Sequence, residues 1–286
     1  MTQTLAAARP DAVGPGSSGP ASGHLQTRGN RSPMAPLQWL DLVRVLSVKN
    51  FRQRYLRSKL GVIWALIQPL AQAGVLSFVF LKIFKVHSIP HYPLYVLSGI
   101  MAWQFFQQSV VGGTSAVVDN AGLVRKVAVP KITFPLSVVG GVLLVFVLQL
   151  VVLLTGAAVT GTLDATTPAL LALSIVVELP LTLGFAILFC AFHVSFRDIR
   201  FLVESTLLMA FYLTPVIYDP TRLPPSYRSL LRWNPMDGVL SLERAALLAR
   251  SVDWTAVGVS AATAVVLLVI GVPLFIRRAG DFADEV

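Results

Sequence analysis

Charged residues are scarce in this chain. Asp, Glu, Lys and Arg together make up 13% of its 286 residues, whereas a soluble domain carries roughly 25%. Apolar residues make up 55% of the chain, and the mean hydropathy is +0.72. This composition excludes an ordinary water-soluble globule. The sequence therefore predicts an all-α polytopic membrane protein.

Cysteine and several binding motifs are also lacking. Cys190 is the only cysteine, so no disulfide can form within the chain. The sequence contains no Gly-x-x-x-x-Gly-Lys-Ser/Thr phosphate loop and no His, Cys and carboxylate spacing typical of a metal site. We expect neither a metal nor a cofactor in this chain, and no ATP hydrolysis by this chain alone.

Acidic residues are outnumbered by basic ones, which gives a net charge of +9. In a membrane protein we interpret this excess as cytoplasmic-loop Lys and Arg and not as a nucleic-acid surface. A basic block directly precedes the first long apolar run and suits the anionic inner leaflet. It consists of Lys49, Arg52, Arg54, Arg57 and Lys59.

Six segments are long and apolar enough to be predicted as membrane spans. Their approximate bounds are 62–84, 94–118, 136–160, 168–192, 201–218 and 254–276. Sixteen of the 23 Lys and Arg residues fall in segments on the same side as the N-terminus, so both termini are predicted to be cytoplasmic. Residues 1–35 are predicted to form a disordered cytoplasmic tail, and residues 36–286 a single transmembrane domain.

A helix before the basic block is predicted from the shared face of Trp39, Leu42, Val43 and Leu46. We interpret it as an amphipathic helix at the cytoplasmic interface, with Trp39 at headgroup depth. The alternative is an ordinary helix packed on the bundle.

The predicted cytoplasmic loop 119–134 contains apolar residues at helical spacing beside two cations. This pattern predicts a short helix that docks a cytoplasmic partner, and a plain connector is the alternative. The docking candidates are Leu123, Val124, Arg125, Lys126 and Val127.

Two short helices are predicted on the outer side, between the fifth-span and sixth-span segments. Asn234 suits an N-cap and Pro235 the first position of the second helix. Both helices are too short to cross a bilayer, so we interpret them as re-entrant elements of an outer gate. A surface hairpin without a gating role is the alternative. The gate candidates are Tyr227, Leu230, Leu231, Asn234 and Pro235.

Polar and aromatic residues inside the spans are candidates for lining a channel. Glu178 falls near the predicted midplane, where a carboxylate should face the bundle or a wet cavity; structural pairing with another helix is its alternative. The aromatic candidates are Trp103, Phe106, Phe211 and Tyr212, which could instead form an interfacial belt. Neutral hydrogen-bonding groups come from Gln68, Gln72, Gln104, Gln107, Gln108 and Gln149.

Several motifs occur in an order that resembles the type-2 ABC exporter permeases of the O-antigen, capsule and teichoic-acid branch. The resemblance begins at Phe51-Arg-Gln-Arg-Tyr-Leu-Arg-Ser-Lys-Leu-Gly-Val-Ile-Trp64 and continues through Leu97-Ser-Gly-Ile-Met-Ala-Trp-Gln-Phe-Phe106. Later matching segments are 120–131, Arg197-Asp198, Thr214-Pro215-Val216 and Trp233-Asn234-Pro235-Met236.

The resemblance implies a six-span bacterial cytoplasmic-membrane permease. It would work as a homodimer with two copies of a separate ATPase, which binds ATP and Mg²⁺. Its substrate would be a lipid-linked polysaccharide or polyol-phosphate polymer. The helix before the basic block and the 119–134 loop would dock the ATPase, and the short outer helices would form the exit gate.

An anionic lipid-linked pyrophosphate would favour cations where the substrate enters, and the candidates are Arg52, Arg54, Arg57 and Lys59. Two alternative functions remain open. One is a drug or small-lipid exporter of the same superfamily. The other is a membrane-embedded acyltransferase, because His193 and Asp198 match a His, four residues, Asp pattern.

Overall fold

The structure is a computed structural model that describes residues 36–55, 60–85, 89–126, 129–280 and 282. Within these ranges the protein is helical and contains no β-strand, as the sequence predicts. The predicted tail 1–35 lies outside them. The α-helices are α1 (Pro36–Tyr55), α2 (Trp64–Phe78), α3 (Tyr92–Asp119), α4 (Ala121–Lys126), α5 (Thr133–Thr160), α6 (Thr167–His193), α7 (Ile199–Leu213), α8 (Pro225–Leu231), α9 (Pro235–Leu248) and α10 (Trp254–Arg278).

Within the described ranges, four helical segments are long and apolar enough to cross a membrane. They are Gly61–Ile83, α5, α6 and α10. The first consists of a 3₁₀ turn, α2 and a π-helical turn in direct succession. Helix α3 has 28 residues but carries Gln104, Gln107 and Gln108, which lower its hydropathy. Helix α7 has 15 residues and is about 22 Å long. It ends at Leu213, before the predicted end of the fifth span at residue 218.

Helix α6 is the centre of the bundle and packs against α10, α3 and α9. Small residues allow these close contacts, as is common between membrane helices. A Cβ added to Gly113 on α3 would lie 2.6 Å from the Cβ of Ala186, and one added to Gly184 would lie 2.7 Å from the Cβ of Leu267. Larger residues at these two glycines would separate α6 from its neighbours.

Helix α1 lies along α5. The Trp39 indole Nε1–H donates to Thr133 Oγ1 at 2.8 Å, and Asn50 Nδ2 donates to Ser137 Oγ at 3.2 Å. Ser47 is buried at the point where α5 carries Gly140. The apolar face predicted for this helix is half-buried. Its predicted position at a membrane interface stays a prediction.

One end of the bundle gathers the short helix α4, the start of α5 and the end of α10. Lys131 Nζ donates to the Ala279 carbonyl and lies over the Phe282 ring. Val124 of α4 belongs to the same buried cluster as Phe134 and Phe282. This end therefore carries the cations of the predicted loop 119–134 together with those at the end of α10.

Helix α9 enters the bundle from the opposite end and packs against α6, α10 and α3. Asn234 caps it by accepting a hydrogen bond from Met236 N at 3.0 Å, and Pro235 is its first residue. Both details confirm the sequence prediction for the start of this helix. A Cβ added to Gly238 would lie 2.4 Å from the Ala256 carbonyl oxygen, so only glycine allows this approach of α9 to α10.

Candidate functional site

A cleft of about 510 Å³ lies between α1, α2, α3, α5 and α7. We call it the glutamine cleft, because its lining includes all six glutamines of the predicted spans. Its lining residues are Arg54, Tyr55, Trp64, Ala65, Gln68, Gln72, Ile100, Trp103, Gln104, Gln107, Gln108, Gln149, Leu208, Phe211 and Tyr212.

Helical spacing explains how the glutamines meet. Gln104, Gln107 and Gln108 are three and four positions apart on α3, and so they share one face. The pair Gln68 and Gln72 on α2 is also four apart. The two faces meet where Gln104 Nε2 donates to Gln72 Oε1 at 3.3 Å. The sequence thus brings amides from separate helices into one wall.

Aromatic rings form the remaining wall of the cleft. Trp103 and Phe211 meet edge to face with centroids 5.9 Å apart, and Phe211 meets Tyr212 at 5.2 Å. Tyr212 is 65% exposed and Trp64 is 52% exposed. Exposed rings beside amides offer flat apolar faces next to hydrogen-bonding groups, which suits a ligand with alternating apolar faces and hydroxyls.

Among the residues that the structure describes, Arg54 is the one charged residue in the lining of the cleft. Its Nη1 donates to Gln108 Oε1 at 2.9 Å, which holds the cation at the α1 end. The other described lining residues are uncharged. The arrangement can therefore bind many neutral hydroxyl groups and admit one anionic group near Arg54.

A second cavity, of about 620 Å³, is lined almost entirely by apolar side chains of α3, α6 and α7 and the start of α9. We call it the apolar cavity. Trp103 contributes to both linings and is 3% exposed, so it stands between the two spaces. The predicted channel residue Phe106 lines the apolar cavity and not the glutamine cleft. This cavity can hold a hydrocarbon chain but offers few partners to hydroxyl groups.

Glu178 lies outside both linings and is fully buried. Its carboxyl group is close enough to that of Glu243 on α9 for the two to interact electrostatically. Within the described ranges, none of the four carboxyl oxygens has a hydrogen-bond partner. Buried polar groups without hydrogen-bond partners are unfavourable. The channel-lining role of Glu178 stays a prediction.

The remaining predicted entry and docking residues divide into exposed positions, one buried position and positions that the structure does not describe. Arg52 is exposed on α1, whereas Arg57, Lys59, Val127 and the side chain of Lys126 lie outside the described residues. Leu123 and Arg125 are exposed. Val124 instead points into the bundle and is 7% exposed. Val124 thus anchors α4, and of the predicted apolar ridge Leu123 is the exposed member that the structure describes.

The predicted gate residues divide between surface and packing roles. Tyr227 and Leu230 of α8 are 62% and 69% exposed, and Leu231 is half-buried. Asn234 donates through Nδ2 to Thr214 Oγ1 at 2.8 Å, which ties the start of α9 to the end of α7. Pro235 lines the apolar cavity. A gating role for these residues stays a prediction.

The His193 and Asp198 pattern does not produce an accessible pair of catalytic groups. His193 is 4% exposed at the end of α6, whereas Asp198 is exposed in the turn before α7. Within the described part of the chain, His193 Nδ1 has no hydrogen-bond partner, so Asp198 does not orient the imidazole as an acid–base pair would require.

Sequence reasoning missed an ionic cluster on α8, α9 and the segments around them. Arg244 is 4% exposed, stacks on the Tyr95 ring at 3.7 Å and donates to the Val216 carbonyl at 3.0 Å. Arg250 pairs with Asp219 at 2.8 Å. The available signal was the group of five arginines in the segment 219–253, which fits poorly with an outer loop under the positive-inside rule.

The chain belongs to the ABC-2 type transporter family. The sequence profile of that family, described as "ABC-2 type transporter", matches residues 41–248. The matched region contains the glutamine cleft, α4 and all of α9. This confirms the family that the motifs of the sequence resemble.

Similar proteins are named as export or transport proteins. The chain is 31% identical over 252 residues to the O-antigen export system permease protein RfbA of Myxococcus xanthus, covering 87% of this chain and 96% of that protein. It is 26% identical over 249 residues to an RfbA of Klebsiella pneumoniae, covering 85% and 94%. It is 23% identical over 242 residues to the polysialic acid transport protein KpsM of Escherichia coli, covering 82% and 93%.

Proposed function

We propose that this chain is the transmembrane permease subunit of an ATP-driven exporter that carries a lipid-linked polysaccharide or polyol-phosphate polymer across the bacterial cytoplasmic membrane. The observation that carries the proposal is the glutamine cleft. It combines six amides with exposed aromatic rings in a chain whose relatives are named as O-antigen export and polysialic acid transport proteins.

The chemistry of the cleft supports a glycan. Each glutamine amide offers two donor hydrogens and an acceptor oxygen, so neighbouring amides can exchange partners with a sliding chain of hydroxyls. Aromatic faces can stack on sugar rings without fixing one register. Arg54 would meet the phosphate of the carrier, and Arg52, Arg57 and Lys59 would add cations where the substrate enters.

The proposed topology has six spans. They are the segment Gly61–Ile83, α3, α5, α6, α7 and α10, with both termini in the cytoplasm. This assignment puts α4, Lys131 and the Arg277–Arg278 pair on the cytoplasmic side, as the positive-inside rule favours. Helices α8 and α9 would then lie on the outer side as the exit gate, with Tyr227, Leu230 and Leu231 on the exposed helix.

The energy would come from a separate ABC ATPase, because this chain has no phosphate loop. We propose a homodimer with two ATPase copies, docked through α1 and through Leu123, Arg125, Lys126 and Val127 of the α4 region. ATP would close the ATPase pair. The permease would follow only if its outward-open state binds the closed pair more tightly.

The docking proposal predicts that Arg125→Glu weakens association with the ATPase at least tenfold, because Arg125 is exposed on α4. Co-purification of the complex measures this. Arg222→Glu, exposed near α8, is the matched control and should leave association unchanged. Normal co-purification of the Arg125 variant would contradict the docking role.

The function is tested by deleting the gene and staining for polymer inside the cell and at its surface. We expect polymer trapped in the cytoplasm and none at the surface, with both restored by the wild-type gene. The sugar composition of the trapped polymer would identify the substrate. Normal surface polymer in the deletion strain would overturn the proposal and favour a drug or small-lipid exporter.

A further inference from the structure

A third cavity, of about 660 Å³, lies among α8, α9 and the start of α10. We call it the arginine cavity. It lies at the end of the bundle opposite α4, and the polymer proposal assigns no ligand to it. Its ionic lining residues are Arg228, Arg232, Arg244, Arg250, Asp219, Asp237 and Asp253.

Two of the four arginines are neutralised by partners in the cavity wall. Arg232 Nε pairs with Asp253 Oδ2 at 2.9 Å, and Arg250 Nη2 pairs with Asp219 Oδ2 at 2.8 Å. Arg228 and Arg244 take no part in these ion pairs. Their hydrogen bonds go to backbone carbonyls, that of Thr221 for Arg228 and those of Pro215 and Val216 for Arg244. A carbonyl does not neutralise a guanidinium charge.

The same two arginines each bury an unused donor. Among the residues that the structure describes, the Nε–H groups of Arg228 and Arg244 have no hydrogen-bond partner. An unpaired buried donor is costly, and a charged one more so. Arg244 is only 4% exposed. Its side chain is therefore held in place by the surrounding protein and is not a mobile surface cation.

The third aspartate does not remove this excess of positive charge. Asp237 is 7% exposed, and burial raises the pKa of its carboxyl to about 6 despite the opposing charge of Arg244. The cavity is lined by four arginines and three aspartates, and Asp237 is partly protonated near neutral pH. The net charge of the lining at that pH is therefore between +1 and +2.

We propose that the arginine cavity binds a phosphate group, held by Arg228 and Arg244. Guanidinium groups are the preferred partners of phosphate oxygens, because their fixed N–H geometry matches several oxygens at once. Arg228 on α8 and Arg244 on α9 both line the cavity, each from a different helix, which suits an anion with several oxygens. Trp254, 62% exposed at the same cavity, offers an apolar face beside it. The phosphate belongs either to an anionic phospholipid headgroup or to a soluble diphosphate.

The test uses the purified full chain in phosphatidylcholine nanodiscs, with two probes. One is phosphatidylglycerol added to the nanodisc, detected as retained lipid by native mass spectrometry. The other is inorganic pyrophosphate, detected by calorimetry. Arg228→Gln removes one guanidinium group at a half-exposed position, so the fold should persist. Arg222→Gln lies three residues from the start of α8, outside the cavity lining, and is the matched control.

We expect at least one probe to bind, at least tenfold more weakly to Arg228→Gln and unchanged to Arg222→Gln. Binding of phosphatidylglycerol alone would assign the site to a lipid headgroup, and binding of pyrophosphate would assign it to a soluble diphosphate. Binding of neither probe, or equal binding by both variants and the wild type, would overturn the proposal. The assay requires no transport, so its outcome is independent of the export test.

Discussion

Helices α7 and α9 are nearly equal in length but opposite in environment. In α7, two of 15 residues are buried, although most of its side chains are apolar. In α9, eleven of 14 residues are buried, including Asp237, Glu243 and Arg244. A water-soluble protein would reverse this arrangement. The difference shows that polar groups in this bundle are shielded by protein, while apolar side chains of α7 are left for lipid or for another chain.

The largest effect is expected from disrupting the close packing of α9 against α10. Gly238→Ala would put a Cβ 2.3 Å from Ser260 Oγ and 2.4 Å from the Ala256 carbonyl oxygen. We expect a loss of stability of about 3 kcal/mol, at the upper end for overpacking, and a lower yield of monodisperse protein. Thermal unfolding in detergent measures the stability, and size-exclusion chromatography measures the yield of monodisperse protein.

Gly258→Ala is the matched control for that experiment, because it lies on α10 and a Cβ there has no neighbour within 4 Å. Its melting temperature should equal or exceed that of the wild type, because alanine favours a helix more than glycine does. An unchanged melting temperature for Gly238→Ala would mean that α9 is not held in this position.

The next effect concerns the cleft that α7 helps to line. The double variant Gln104→Leu, Gln108→Leu replaces amides by apolar groups of similar size. We expect export to fall at least tenfold while the protein still folds, because hydroxyl groups entering the cleft would lose their partners. Surface polymer per molecule of permease is the measurement. Thr155→Val, an exposed change on α5 outside the cleft lining, should export normally, and equal export by both variants would contradict the assignment of the cleft.

The exposed face of α7 allows a direct test of the proposed homodimer. Met209 and Val269 are each 67% exposed, on α7 and α10 respectively, and the sole native cysteine is buried. We expect Met209→Cys to form a disulfide-linked dimer in membranes under mild oxidation, whereas Val269→Cys should remain monomeric on denaturing gels. The reverse pattern would place the contact between copies at α10.

The smallest effect is a pH dependence that comes from α9. Burial raises the pKa of Asp237 from 3.8 to about 6. The folded state therefore binds this proton more tightly than the unfolded state does. Its contribution to stability is present below about pH 4 and is lost as pH rises through 6, which amounts to about 2–3 kcal/mol. Asp237→Asn should flatten this part of the stability curve, as measured by thermal unfolding between pH 4 and 7.

Asp164 provides a control of opposite sign. The side-chain hydrogen bond from Thr166 is the main cause that lowers the pKa of Asp164, so its contribution to stability is lost as pH falls. Asp164→Asn should remove stability at neutral pH and not at low pH. If Asp237→Asn showed that same pattern, its carboxyl would be ionised and paired in the folded protein.

The sequence predicted the elements that depend on local patterns. The apolar runs became α2, α3, α5, α6 and α10, and Asn234-Pro235 begins α9 as capping chemistry requires. The glutamines were recognised as polar, but which of them meet depends on how α2, α3 and α5 pack. No pattern within one helix carries that information.

Predictions were weakest where tertiary packing determines a residue's environment. Val124 has the spacing of an exposed ridge, yet it turns inward because Phe134 and Phe282 form a cluster beneath it. Glu243 and Arg244 lie in a segment predicted as an outer helix, and they are buried because α9 packs against α6, α10 and α3. Long-range contacts of this kind leave no periodic signal in the sequence.

The central claim is that a glycan passes through the glutamine cleft, and photo-crosslinking tests it most directly. A photoreactive phenylalanine analogue is placed at Gln104 in the cleft or at Val269 on the exposed face of α10, in cells that export polymer. We predict that light attaches the polymer to the Gln104 site, detected by a polymer-specific lectin or antibody, and not to the Val269 site. Continued export with no polymer attached at Gln104 would contradict the account.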